Sequence, residues 1–211
     1  MALRRLVDSV LEHPAVYAAW QAPFVAQKFA PVERRLANVR VRRVLDVGCG
    51  PGTNAARFAG ADYVGLDINE RYLAIARSKH RGRFIRADLS APDLASSPLT
   101  DLGTFDTILV NSFLHHLPDD AVVRLLRQLH RLLDRDGRIH LLELVLPDRP
   151  SLATLMARLD RGRYARALAA WQALFTAHFD PVDVEPYTFG GGLWSMVYFQ
   201  GKARSESAGG Q

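Results

Sequence analysis

Cysteine is nearly absent from this 211-residue chain. Cys49 alone excludes an internal disulfide and fits a cytoplasmic protein without requiring one. Long apolar runs are missing too, and none approaches the roughly 18 residues of a membrane span. At the N-terminus Arg4 and Arg5 are soon followed by Asp8, Glu12 and His13, which leaves no apolar core for a signal peptide. His13, His80, His130, His140 and His178 form no ligand pattern with acids or cysteines, so no metal site is expected. Internal repeats are absent as well. These absences leave a single domain without stable membrane insertion. Its apolar fraction of 48% can fill a sizeable core.

What is present centres on VLDVGCGPG, Val44 to Gly52. Val41, Val44, Leu45 and Val47 read as a buried strand ending near Asp46, and Gly48, Gly50 and Gly52 as a turn too tight for side chains. Pro51 sits near the start of an expected helix, Asn54 to Gly60, where its missing N–H costs nothing. Such a turn brings backbone N–H groups and a helix N-terminus to a small polar ligand. A dinucleotide fingerprint would need its third glycine where Thr53 stands. DYVGLDIN makes a second strand, Asp62 to Leu66, with Asp67 at its tip. A carboxylate there can accept hydrogen bonds from both hydroxyls of a ribose. Helix Glu70 to Lys79 follows, and then a third strand, Arg83 to Ala87, reaches Asp88 and Leu89. Asp67 or Asp88 taken singly reads as a turn residue or helix cap. Two acids at successive strand ends after this loop favour the nucleoside reading.

The G-x-G-x-G spacing, with an acid two positions before the first glycine, resembles the first motif of class I S-adenosylmethionine-dependent methyltransferases. The resemblance covers roughly Val41 to Val145, about half the chain, in four ordered segments. It implies that Asp46, Gly48, Cys49 and Gly50 approach the methionine part of S-adenosylmethionine. Asp67 then meets the ribose, and Ile68 stacks on adenine. Asp88 takes the exocyclic amine, beside Leu89. A small soft side chain filling space is the preferred reading of Cys49 itself. The expected fold is α/β, a single doubly wound Rossmann-like domain. Its seven-stranded sheet has the order 3-2-1-4-5-7-6, with the last strand antiparallel. The spent cofactor would be S-adenosylhomocysteine.

Strand four, FDTILVNS from Phe105 to Ser112, leads into FLHHLPDD. Asn111 and Ser112 fall at its tip, where cofactor and substrate would meet, and His115 and His116 follow in the loop. An Asp119 or Asp120 cap then opens a helix with Val122, Leu125, Leu126, Leu129, Leu132 and Leu133 on one face. Asp134 to Gly137 closes that helix, and strand five, Arg138 to Val145, carries Glu143. Imidazole titrates near neutrality, so His116 and His115 are the candidate bases, with His116 preferred. A helix-entry histidine bonded to backbone is the competing reading. Glu143 is a further candidate, as proton acceptor or as holder of an amine substrate.

The flanks should define the acceptor. Residues 1–39 carry Leu3, Leu6, Val7, Val10 and Leu11 at helical spacing, then Tyr17, Trp20, Phe24 and Phe29. A helical lid is preferred there over simple packing, and membrane-surface contact comes last. The core is 40–200, with a helical insertion at 149–179 broken at Gly162. That insertion either walls the substrate side or packs as core. Gly190 to Gly192 marks a hairpin joining Pro181–Phe189 to Leu193–Gln200, and 201–211 reads as a disordered tail.

The net charge of +5 and the cluster Arg34, Arg35, Arg40, Arg42, Arg43 invite a nucleic-acid partner, but acids interleave throughout. The fourth strand also lacks the Pro-Pro-aromatic segment of base-amine methyltransferases. The expected activity is methyl transfer to an oxygen or nitrogen of a small, partly apolar molecule, by a monomer or homodimer without nucleic acid. Cyclisation or rearrangement on the same scaffold, or a macromolecular methyl acceptor, are the alternatives.

Overall fold

The computed structural model describes residues 24–94, 98–159 and 162–204. Their elements are helix α1 (Val25–Leu36), strand β1 (Arg43–Val47), β2 (Asp62–Asp67), helix α2 (Glu70–Lys79), β3 (Arg83–Arg86) and β4 (Phe105–Asn111). There follow α3 (Asp119–Leu132), β5 (Leu133–Leu144), α4 (Leu152–Leu159), α5 (Leu168–Thr176), β6 (Phe179–Phe189) and β7 (Trp194–Ala203). The seven strands form one sheet in the order β3-β2-β1-β4-β5-β7-β6. Strands β1 to β5 pair in parallel, and β7 runs antiparallel to both β5 and β6. This is the expected α/β strand order, with the last strand antiparallel.

Alternation along the central strands explains why helices cover both faces. Leu45, Val47, Ile108, Val110, Ile139 and Leu141 point to one side, where they meet α3 and the Trp171–Phe175 stack of α5. Val44, Tyr63, Leu109, Leu142 and Leu144 point to the other, against Phe29 and Val32 of α1, Leu73 and Ala76 of α2, and Ala157 of α4. In α3, Val122, Leu125, Leu126 and Leu129 are all fully buried. Each such side chain contributes roughly 1.5–3 kcal/mol of transfer free energy.

Several local expectations change. The expected helix Asn54–Gly60 is a single 3₁₀ turn, Ala55–Phe58. Asn54 makes no capping bond but turns inward to Asp46, and Gly60 at φ 102° ends the turn before β2. The dipole of a full helix is therefore missing from the loop. Pro118, without a side-chain cap bond, is the N-cap of α3, and Asp119 and Asp120 fall in its first turn. Strand β5 begins at Leu133 rather than Arg138, because Leu133 pairs with Phe105 before the register slips. The polar tail starts later than expected: Gly201 to Ala203 continue β7, paired with Ile139, Pro181, Asp180 and Phe179. Residues 205–211 lie outside the described residues.

Helix α1 is clamped to the β6–β7 hairpin. Arg34 pairs with Glu185, Arg35 with Asp183 and Glu185, and the Tyr187 hydroxyl donates to the Lys28 carbonyl. The rest of the expected lid, residues 1–23, lies outside the described residues. Within the basic cluster, Arg42 also pairs with Asp106 and Arg43 with Asp62.

Candidate active site

The glycine turn is built as its sequence requires. Gly48, Gly50 and Gly52 all have positive φ, at 73°, 53° and 78°. At Gly48 close approach adds to the constraint, because a Cβ there would lie 2.6 Å from the Phe113 ring. The amides of Gly48 and Cys49 both donate to the Leu66 carbonyl, at 2.8 and 2.9 Å, stitching the turn to β2. The Gly50 amide donates to Asp67 Oδ2 at 2.9 Å, and Asn69 N donates to Oδ1 at 2.8 Å. Asp67 thus stands at the tip of β2 with each oxygen fixed by one N–H and retaining a second lone pair. Ile68 beside it is an exposed large apolar residue, at 53%.

Asp46 lies underneath rather than beside this cradle. It is fully buried, and its Oδ2 accepts from the Tyr63 hydroxyl and from Asn54 Nδ2. Burial pushes its carboxyl up to about 6, against the lowering bonds from Tyr63 and Asn54 and with a small push from Asp67. Asp46 Oδ1 is buried without a hydrogen-bond partner, and so is Asn111 Oδ1 at the end of the adjoining β4. Two orphaned acceptors on neighbouring strands suit a ligand rich in N–H and O–H donors. Cys49 is buried with its thiol pushed up by burial, and it fills space against Gly65. Asp88 is exposed, its Oδ1 accepting from Ser90 N and Oγ at 2.9 and 2.6 Å, which holds the carboxyl below its usual range. Leu89 beside it is buried.

Across the tip of β4 lies a second cluster. Ser112, with φ 52°, is the one non-glycine residue with positive φ among the described residues, and its amide donates to the Leu142 carbonyl at 2.7 Å. The turn it starts carries Phe113 onto Gly48 and leads into a 3₁₀ turn, Leu114–His116. Glu143, fully buried near the end of β5, receives three bonds from this turn. Its Oε1 accepts from Phe113 N and Leu114 N at 2.9 and 2.7 Å, and its Oε2 lies 2.7 Å from His115 Nδ1. Burial alone would raise the Glu143 carboxyl, but the charge and hydrogen bond of His115 and the two amides hold it below its usual value. His115 is buried at 3%, whereas His116 is exposed, and their rings lie 4.4 Å apart between centroids, tilted by 36°.

The site therefore has two halves, a cradle between β1 and β2 and a histidine turn between β4 and β5. Phe113 against Gly48 joins them. Residues 44–137 match the family described as "Methyltransferase domain". Over those residues, somewhat under half of the chain, it is similar to the class I S-adenosylmethionine-dependent methyltransferases. S-adenosylmethionine is the cofactor of that family, and the orphaned acceptors and the bare glycine cradle fit it. The trans-aconitate 2-methyltransferase of Delftia acidovorans is 34% identical over 125 residues, half of this chain and 45% of that protein. The ubiquinone biosynthesis O-methyltransferase of Bordetella avium is 33% identical over 96 residues, 44% of this chain and 40% of that protein. The chain thus spans about half the length of the curated relatives it matches. In fold it is similar to the 1,6-didemethyltoxoflavin-N1-methyltransferase of Burkholderia thailandensis, solved with 1,6-didemethyltoxoflavin and S-adenosylhomocysteine bound. That similarity has a TM-score of 0.67 at 24% identity, covering 96% of this chain and 88% of the other.

Three parts of this candidate site carry no signal in the sequence. Tyr63 and Asn54 hold Asp46 from 17 and 8 residues away. Arg166 reaches the histidine turn from the insertion, 47 residues beyond Asp119. No motif marks any of them. Among the described residues no group of His, Cys, Asp and Glu is arranged to hold a metal ion, and no helix is long and apolar enough to cross a membrane.

Proposed function

We propose that this chain transfers the methyl group of S-adenosylmethionine to an oxygen or nitrogen of a small, partly apolar molecule, with His116 accepting the acceptor's proton. The observation that carries the proposal is the exposed His116 ring lying tilted against buried His115, itself fixed by Glu143, in the turn that Phe113 ties to the glycine cradle. The bound cofactor supplies an electrophilic sulfonium methyl. The loop Gly48–Gly50, with Asp46 beneath it, would hold the methionine part, Asp67 would hold the ribose, and Ile68 would lie against the adenine. Asp88, Leu89 and Asn111 complete the nucleoside side.

Methyl transfer by in-line displacement needs alignment and one proton acceptor. Glu143 as a carboxylate accepts from His115 Nδ1–H and so fixes one tautomer of that ring. His115 in turn supports His116, which is the solvent-facing imidazole. Glu143 faces the turn and not open space, so its role here is to hold His115 rather than to meet an amine. Relatives named for oxygen methylation and a fold neighbour named for nitrogen methylation support this acceptor class. Pairing of Arg34, Arg35, Arg42 and Arg43 with carboxylates supports a small molecule over nucleic acid. The buried lone thiol of Cys49 is in keeping with a cytoplasmic protein.

The test uses labelled methyl donor with panels of phenols and amines, read by product mass. His116→Ala should keep cofactor affinity within a factor of two in calorimetry and slow turnover by about 100-fold, the usual worth of a general base. An unchanged rate would remove His116 from the mechanism.

A further inference from the structure

The turn that presents the two histidines is held from both sides by charges anchored at the end of β5. Glu143 takes its amides, as above. Its carbonyls are taken by Arg166, from the segment between α4 and α5. Arg166 Nη1 donates to the Leu114 carbonyl at 3.3 Å and Nη2 to the Leu117 carbonyl at 2.8 Å, bracketing His115 and His116. Its Nε donates to Asp119 Oδ1 at 2.8 Å, and Nη1 also donates to the Tyr164 carbonyl at 2.9 Å. A planar fork with five N–H donors can serve these diverging acceptors at once, which a lysine cannot.

Arg166 is itself fixed to the sheet. Its backbone bridges Val145 in parallel, and its carbonyl accepts from Leu146 N at 2.8 Å. The guanidinium lies 4.6 Å from the centre of the Trp171 ring, and Trp171 Nε1 donates to the Leu144 carbonyl at 2.9 Å. The same segment closes over His115 directly, for Tyr164 N donates to the His115 carbonyl at 3.0 Å. A Cβ at Gly162 would lie 1.9 Å from the His115 ring. The Arg166 side chain is only 7% exposed, although its partner Asp119 is 79% exposed. Burying a guanidinium beside a solvated carboxylate is costly unless its other donors are satisfied, and here the turn's carbonyls satisfy them.

We propose that Arg166 is a positioning residue for the histidine turn, so that the insertion sets the placement of His115 and His116. The inference rests on the histidine turn being the acceptor side of the methyltransferase site. It places the link between insertion and chemistry in one side chain. Any change in the insertion that moves Arg166 moves the imidazoles, while Glu143 still holds the Phe113 and Leu114 amides.

The test is histidine-labelled full-length protein observed by NMR. In the wild type the His115 Nδ1–H bonded to Glu143 should give a downfield, slowly exchanging imidazole proton. In Arg166→Met that proton should exchange at least about tenfold faster, with Arg166→Lys in between because it restores charge but not the fork. Calorimetry with S-adenosylmethionine should show the same affinity, within a factor of two, in all three proteins. Failure of the wild type to bind would strike the cofactor reading alone, since the imidazole signal is read without ligand. An unchanged exchange rate in folded Arg166→Met would overturn the proposal. Should that variant not fold, Asp119→Asn, which alters an exposed carboxylate, should speed the same exchange. An unaltered signal there would overturn the proposal equally.

Discussion

The Phe113 ring occupies the space that a side chain at Gly48 would fill, with the two separated by 2.6 Å once a Cβ is placed there. Through this one contact the end of β4 rests on the loop after β1, so the glycine-turn half and the histidine half of the site share a wall. Gly48→Ala therefore meets two obstacles, the ring and a φ of 73°. It should cost about 1–3 kcal/mol by overpacking and strain, measured as a lowered urea midpoint. Cofactor affinity should fall with it. Gly50→Ala, with nothing within 4 Å of its Cβ, should bear only the backbone strain. Equal losses in the two variants would contradict a shared wall.

Glu143→Gln keeps the size of the side chain but replaces an ionised acceptor that serves three N–H donors. An amide oxygen can still take Phe113 N and Leu114 N, but its NH₂ then confronts the His115 Nδ1–H. The expected loss is about 1–3 kcal/mol, the cost of unsatisfying a buried hydrogen-bonded group, together with exchange of the His115 tautomer. Imidazole nitrogen shifts report that directly. A retained Nδ1–H tautomer at wild-type stability would remove Glu143 from its supporting role.

Two buried titratable groups give the fold opposing responses to acid. His140 bonds to the Tyr198 hydroxyl at 2.9 Å, and burial, with Arg138 and Arg35 adding, pushes it down to about 4 from 6.5. Between those values the unfolded chain binds a proton that the fold refuses, so stability falls as pH falls through that window. Asp46, raised from 3.8 to about 6, takes its proton in the fold first, and its burial cost is relieved over nearly the same window. Each effect amounts to about 1–2 kcal/mol between pH 7 and 5, and they largely cancel. Urea midpoints of His140→Gln should therefore rise relative to wild type on acidification, and those of Asp46→Asn should fall. Parallel shifts in both variants would show that neither group is held as the burial argument requires.

Much of this fold was legible because its signals are local and periodic. Helix Glu70–Lys79 matches its expected span, since Asn69 caps it through Arg71 N and Tyr72 N and Lys79 ends it one residue before an extended His80. The short turns pointed to helices on both faces of one sheet, whereas the strand order was what the methyltransferase resemblance implied, with the glycine hairpin matching its last pair. Less legible was the 3₁₀ turn after the glycines, where capping chemistry competes with a buried acid. Asn54 reads as a helix start until Asp46 claims its amide. The histidines were visible as a pair, but nothing local distinguishes the buried ring from the exposed one. That depends on Glu143 and Gly162, 28 and 47 residues away in the chain. Arg166 had no signal at all, because a buried arginine is defined by acceptors that only the closed fold brings within reach.

The proposed nucleoside site depends most directly on Asp67, whose carboxylate is fixed by Gly50 N and Asn69 N at the tip of β2. Calorimetry with S-adenosylmethionine on the wild type and on Asp67→Ala tests it. The wild type should bind. The variant should lose on the order of 100-fold or more in affinity, the worth of two charge-assisted hydrogen bonds to ribose hydroxyls. Undiminished binding by a folded Asp67→Ala protein would contradict the nucleoside site.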